Sequence, residues 1–366
     1  MKKNVLFNKL DWYIIKKYIG TYFFTILIVV LVVIIFDVSE KIDKFVDNEV
    51  PLKEIIFDYY GGFIPWILNS FGPLLVFIAA IFFTSQLASH SEIIAMLSSG
   101  VSFRRLLLPY MVSATLLAAL YLVLGFYIIP PANQHRLDFE NKYIKTQKTN
   151  LNSRNVHYQI APGQFVYVEQ FSSWSNTAYR FTLETIEENE LKSKLSAESA
   201  AWDSVGCCWK LRNYYQRDFY GPSSEVVQAG RYKDTVINLT VEDFYRRKNI
   251  VESLSEPELE NLIAIQKMRG DDMVKYALIE KHTRIATPFS AFILTLMAVA
   301  LSSRKRRGGI GLDIGVGLAL SFSYILFQRF AQMFVHTGTL PTGLAIWLPN
   351  ILYAIIAYAL YKMAPK

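Results

Sequence analysis

The chain has 366 residues, 52% of them hydrophobic, and a formal net charge of +7. A soluble domain is usually about 45–50% apolar, so the modest excess suits membrane spans joined to one ordinary soluble domain. The positive charge does not mark a nucleic-acid binder, because the basic residues cluster at the ends of apolar runs, where they set membrane orientation. The two cysteines are the neighbours Cys207 and Cys208. Adjacent strand residues point to opposite faces, so both read as small apolar side chains, and a disulfide framework and a Cys-rich zinc site are excluded.

Lys2, Lys3, Lys9, Lys16 and Lys17 precede the first apolar run, 19–36. That run is long, and Asp37-Val38-Ser39-Glu40 after it offers no small-x-small cleavage site, so an uncleaved span is expected in place of a signal peptide. Crossing ~30 Å of hydrocarbon at ~1.5 Å per residue takes about 20 apolar residues. Six segments qualify: 19–36, 61–88, 106–129, 285–303, 310–327 and 344–361. Pro65, Pro73 and Pro109 fall in or near the ends of spans, where neighbouring helices can satisfy the freed carbonyls. With six spans, the N-terminal lysines, Arg104-Arg105, Arg304-Lys305-Arg306-Arg307, Lys362 and Lys366 all fall on one side. This predicts a multi-pass membrane protein with both termini cytoplasmic.

The other side receives 37–60, a short turn near 336–343, and a long insert from 130 to about 283, too long for the charge rule to bear on it. Segments 156–160, 164–170, 179–186, 209–215 and 236–241 alternate or carry aromatic and β-branched residues, and predict short strands of a sandwich or jelly roll. Ser255-Glu256-Pro257-Glu258 then reads as a helix start, with Leu259, Leu262 and Ile263 on one face and Gly270 as the stop. The expected division is an N-terminal membrane half (1–132), a β-jelly roll (133–252), a connecting helix (253–283) and a C-terminal membrane half (284–366).

No G-x-x-x-x-G-K-[ST] occurs, and the Gly-rich stretch 308–317 lacks the lysine and follows no strand, so the chain has no visible ATPase site of its own. H-E-x-x-H and G-x-S-x-G are missing too. His90, His135, His157, His282 and His336 are scattered over loops and helix ends. No catalytic residue, metal ligand or cofactor site is expected. A secondary transporter would need several acidic or His residues inside its spans, where Asp313 stands near a span end. A sensor would need a cytoplasmic output domain, for which the inner loops are too short.

Between the second and third spans, Ser89-His90-Ser91-Glu92 reads as a capping box and Gly100 as a stop. Ile93, Ile94, Met96 and Leu97 form an apolar face between them, and Ser102 can cap the next helix. The short helix 91–99 is either a connector packed on its own bundle or a coupling helix for a partner ATPase, with Glu92 facing a basic residue there. At the outer end of the first span, Lys41 and Lys44 alternate with Asp37, Glu40 and Asp43. Glu40–Lys44 has the spacing of a helical ion pair, and the other reading is contact with anionic lipid phosphates. Arg136 and Arg284 sit at a similar level, the latter four residues after Glu280. Arg329, ~30 Å beyond Gly309 at the helical rise, either snorkels to the interface or joins an anion site.

Four stretches give the chain a familiar pattern: Leu10-Asp11-Trp12-Tyr13; Ser91-Glu92-Ile93-Ile94-Ala95-Met96-Leu97-Ser98-Ser99-Gly100-Val101-Ser102; Glu280-Lys281-His282-Thr283-Arg284-Ile285-Ala286-Thr287-Pro288; and Leu340-Pro341-Thr342-Gly343 with Trp347-Leu348-Pro349-Asn350. In this order, around a β-rich insert, they resemble the lipopolysaccharide-export permease family, the LptF/LptG type, over nearly the whole chain. The resemblance implies six transmembrane helices and a periplasmic jelly roll. It also implies a second permease subunit, either a paralogue or another copy, that completes a cavity for lipopolysaccharide. A cytoplasmic ATPase dimer, which binds the ATP, would dock on 91–99 with Glu92 at the acidic position. The jelly roll would pass the lipid to a periplasmic bridge protein of similar fold.

Overall fold

The computed structural model describes residues 8–144, 153–221, 224–244, 248–303 and 309–364. The basic run 304–307, the first lysines and Lys366 lie outside the described residues. Two compact units occur: one holds the helices up to Phe139, the segment Glu252–Glu256 and the chain from Leu278 onward, and the other holds Glu140–Val251 and Pro257–Ala277.

The helical unit opens with α1 (Lys9–Asp47), whose 39 residues span ~58 Å at the helical rise. After α2 (Leu52–Glu54), a π-helical turn at Ile55–Tyr60 leads into α3 (Gly61–Ser70). The predicted span 61–88 is not one helix. It breaks at Phe71 and resumes as α4 (Gly72–Ser89), with Pro73 in the first turn, where a missing N–H costs nothing. Gly72 follows the break and packs against Tyr121, where a Cβ would lie 2.6 Å from the ring. The short α5 (Glu92–Ser98) and α6 (Phe103–Val123) follow, and a second π turn at Leu124–Ile128 carries the chain into α7 (Ile129–Phe139).

Beyond the sheet, α8 (Glu256–Arg269) ends at Gly270, whose φ of +66° stops the helix as expected. Leu259 and Ile263 of its predicted face are buried. Then come α9 (Val274–Ser302), α10 (Gly309–His336) and α11 (Thr342–Met363). Among the described residues, six helices are long and apolar enough to cross a membrane. They share one core, in which Tyr18, Leu75, Phe77, Phe83, Tyr110 and Leu294 are fully buried. Helices α4 and α9 are largely enclosed, whereas in the apolar stretch of α1 few residues are buried and about half are exposed.

The second unit is a six-stranded antiparallel sheet in sequential order: β1 (Ser153–Ala161), β2 (Gln164–Ser172), β3 (Thr177–Glu187), β4 (Glu190–Asp203), β5 (Cys208–Gly221) and β6 (Ser224–Thr235). The rings of Tyr158 on β1, Phe171 on β2 and Trp209 on β5 all lie within 6.1 Å of Phe244. In a flat sheet β1 and β5 would be about 19 Å apart, so the sheet curls around its core, in the manner of a jelly roll. Four of the five predicted strands are present. The fifth, 236–241, is not a strand: Leu239 accepts the Trp209 indole N–H at 2.8 Å, and Val241–Phe244 is a 3-10 turn. Its apolar alternation arises because Leu239, Val241 and Phe244 close the core. The jelly roll expected from residue 133 begins at Ser153, because α7 carries 133–139.

Candidate functional site

Polar groups gather at the two ends of α1. At its N-terminal end the Tyr13 hydroxyl donates to Glu92 Oε2 at 3.1 Å, tying α1 to α5. Two residues earlier in α1, Asp11 takes hydrogen bonds from Arg105 on both oxygens, at 2.8 and 2.6 Å, and is 2% exposed. A cavity of about 80 Å³ lies beside this pair, lined by Asn8, Val101 and Pro109 among others.

The expected capping box of α5 does not form. Ser91 is left-handed, with φ +62° and no side-chain cap, and the Ser89 hydroxyl bonds back to the Gln86 carbonyl. The C-terminal stop does form, with Gly100 N–H on Leu97 O and Val101 N–H on Met96 O, the paired bonds of a Schellman motif. Ser102 caps α6 by accepting from Arg105 N–H. The apolar face of α5 is divided. Ile93 is fully buried, and Met96 and Leu97 pack against the same core, while Ile94 is half exposed.

At the far end of α1, Asp37 is buried and receives three donors. Lys41 pairs with it, Tyr59 donates at 3.0 Å and Tyr60 at 3.1 Å. The π turn at Ile55–Tyr60 carries both tyrosines to one carboxylate. Burial, reinforced by Asp37, pushes the Tyr60 phenol above its ordinary value. The predicted Glu40–Lys44 pair is absent among the described residues. Asp37–Lys41 takes its place, and Lys44 is exposed.

From there an aromatic ladder runs Tyr59–Phe63–Trp66, with centroids 5.4 and 6.1 Å apart. The Lys41 ammonium lies over Tyr59 and Phe63, and the Arg136 guanidinium lies 4.5 Å above the Trp66 ring, cation–π contacts at both ends of the ladder. Arg136 is buried and fixed by Asn133 Oδ1 at 2.8 Å. The helices approach closely here because Gly62 faces Ala132, where a Cβ would sit 2.2 Å from the carbonyl oxygen.

The Trp66 indole N–H donates to Glu252 at 2.7 Å. Burial pushes the Glu252 carboxyl above its ordinary value, opposed by the Trp66 bond and by the charges of Arg136, Arg329 and Arg284. Arg284 is 4% exposed and held on several sides, by Glu280 at 2.9 Å, the Leu254 carbonyl at 2.8 Å and Glu256 at 3.4 Å. The predicted Glu280–Arg284 pair therefore exists. Arg329 is exposed and touches Gln332.

Of the basic residues singled out in sequence, Lys41 and Arg136 stand at the two ends of one aromatic ladder, Arg284 is held by Glu280 and Glu256, Arg329 touches Gln332, and Lys44 stays apart. Trp66, Tyr59, Tyr60 and Glu252 went unnoticed. An indole and two phenols near a span end read as interfacial aromatics, and Glu252 lies 116 residues beyond Arg136 in sequence, so only the folded chain brings them together. The two C-terminal stretches meet as well, because Asn350 Nδ2 donates to the Ala286 carbonyl at 2.8 Å.

The six apolar helices among the described residues and the curled β domain that follows the third of them in sequence define a multi-pass membrane protein. The family model for the lipopolysaccharide export system permease LptF/LptG matches residues 12–363, and the chain belongs to that family. It is 23% identical over 361 residues to the lipopolysaccharide export system permease protein LptG of Escherichia coli strain K12, covering 94% of this chain and 96% of that one. It is 22% identical over 358 residues to the LptG permease protein of Haemophilus influenzae, covering 96% and 98%.

Proposed function

We propose that this permease works in an ATP-driven exporter that lifts lipopolysaccharide out of the inner membrane and passes it to a periplasmic bridge. The chain supplies no ATPase chemistry. A cytoplasmic ATPase dimer binds the ATP and docks on α5, with Glu92 and the half-exposed Ile94 presented to it, while Ile93, Met96 and Leu97 anchor the helix. A second permease subunit, paralogue or self, faces α1 and α10 and completes the cavity.

One observation carries this reading. Leu27, Leu31, Ile35 and Phe36 of α1 are exposed, and further along the same helix Lys41 meets the aromatic ladder. Acyl chains match the first part and lipid A phosphates match the cationic part, where Lys41, Arg136, Arg284 and Arg329 supply the charge, Arg284 chiefly by ordering the rim. Charge-assisted bonds from arginine suit phosphate. Lys44, further along α1, is the weakest contributor to this reading.

Detergent extraction followed by native mass spectrometry tests it. The expected result is a complex containing an ATPase subunit and a lipid A species, with lipid retention reduced in Arg136→Ala. A complex without ATPase, or one whose lipid is indifferent to Arg136, would overturn it.

A further inference from the structure

Glu252 is unlike the other carboxylates of the rim. Glu280 and Glu256 contact Arg284 directly, whereas Glu252 makes no ion pair among the described residues, and its hydrogen-bond partner is the neutral indole of Trp66. Two guanidiniums flank its position: Arg136 lies 4.5 Å above the Trp66 ring that holds it, and Arg284 donates at 2.8 Å to the carbonyl of Leu254, two residues further along the chain. A carboxylate set beside two guanidiniums, held by one neutral donor and only half-buried, occupies a place that an incoming anion could take.

We infer that Glu252 is a built-in counter-anion of this rim, displaced when a phosphorylated lipid headgroup docks, and that it sets how much negative charge a cargo must carry. The inference rests on the phosphate-binding reading above. In the empty rim Glu252 balances part of the arginine charge and occupies the Trp66 N–H. A phosphate, with more charge and more acceptor oxygens than a carboxylate, replaces it and takes over that donor. A cargo lacking phosphate cannot compete, so Glu252 rejects neutral lipids at no cost to the arginines.

The test compares wild type, Glu252→Gln and Arg136→Ala in the complete complex with its ATPase. Affinities are measured for bis-phosphorylated lipid A, dephosphorylated lipid A and inorganic phosphate. Glutamine keeps the shape and the acceptor for Trp66 while removing the charge. The expected result is about tenfold tighter binding of bis-phosphorylated lipid A, the scale of one unit charge removed a few ångströms away, with dephosphorylated lipid unchanged. Glu252→Ala carries the same expectation should the glutamine variant not assemble. Unchanged affinity in the Glu252 variants, with the expected loss in Arg136→Ala, overturns the counter-anion role and leaves the rim as a phosphate site. Equal tightening of dephosphorylated lipid also overturns it. A gain for inorganic phosphate alone overturns the assignment to a lipid headgroup. If Arg136→Ala is silent as well, the phosphate-binding reading itself fails and this inference falls with it.

Discussion

Tyr13 and Glu92, 79 residues apart in sequence, are joined by a hydrogen bond of 3.1 Å. The bond links α5 to the base of α1, which has the smallest buried share of the candidate spans. If an ATPase docks on α5 as proposed, movement there would be passed to the helix proposed to touch the lipid. Glu92→Ala is expected to uncouple ATP hydrolysis from lipid release while the protein still inserts. Tyr13→Phe removes one donor only and should weaken coupling by a smaller factor, about two- to tenfold, since a hydrogen bond to a charged group contributes ~1.5 kcal/mol or less when partly exposed. Comparison of ATPase rate with lipid release in reconstituted complexes decides it, and normal release by the Glu92→Ala complex would count against the assignment.

The Asp11–Arg105 pair holds the same region by a different means. Both carboxylate oxygens face guanidinium nitrogens, and Asp11 is nearly inaccessible to water. Arg105→Ala would leave that carboxylate buried without its counter-charge, which costs 3–5 kcal/mol in fully buried pairs. Because Arg105 is about a third exposed, about 2–3 kcal/mol is expected here. Thermal unfolding of the detergent-solubilised protein measures it, and a loss below ~0.5 kcal/mol would show that water reaches Asp11.

Much of this organisation was legible in sequence, and the failures share a cause. The spans were readable because crossing a bilayer demands a long apolar run, and α8 because Pro257 and Gly270 punctuate it. Strand β4 escaped notice because its buried Leu195, Ala197 and Ala200 are interleaved with Ser and Lys in a composition that suits a helix as well. Strand β6 is exposed along nearly its whole length and exists by pairing with β5, so it carries no apolar alternation. Gly230 is part of that pairing, since it lies opposite Tyr214 and leaves room for its ring. At the rim, sequence supplied the cations but not Glu252 or Trp66, since their roles depend on neighbours that only tertiary structure provides.

Two glycines in the helical unit should respond differently to a methyl group. At Gly62 the added Cβ meets the backbone oxygen of Ala132 at 2.2 Å, whereas at Gly317 it meets the tip of the Ile81 side chain at 2.1 Å. A backbone carbonyl cannot move without shifting α7, while an isoleucine terminus can rotate. Gly62→Ala is therefore expected to cost about 1–3 kcal/mol, the range for overpacking, and to displace Arg136 from Trp66. Gly317→Ala should cost less than ~1 kcal/mol. Equal losses in thermal stability would refute the distinction, as would a Gly62→Ala protein with unchanged Trp66 fluorescence.

Asn350 is 3% exposed and joins three helices, taking the Tyr324 hydroxyl proton at 2.8 Å and giving an amide proton to the Ala286 carbonyl at 2.8 Å. In a bilayer such bonds average about 0.6 kcal/mol and reach ~1.7 kcal/mol, so Asn350→Leu should cost about 1–2 kcal/mol through both. Tyr324→Phe removes one of them and should cost less. Because the two residues share a bond, the double variant should lose less than the sum of the single losses, with a coupling of at least ~0.5 kcal/mol. Strictly additive losses would mean that the Tyr324–Asn350 bond contributes nothing, leaving packing around Ala345 and Ile346 to hold α9 against α11.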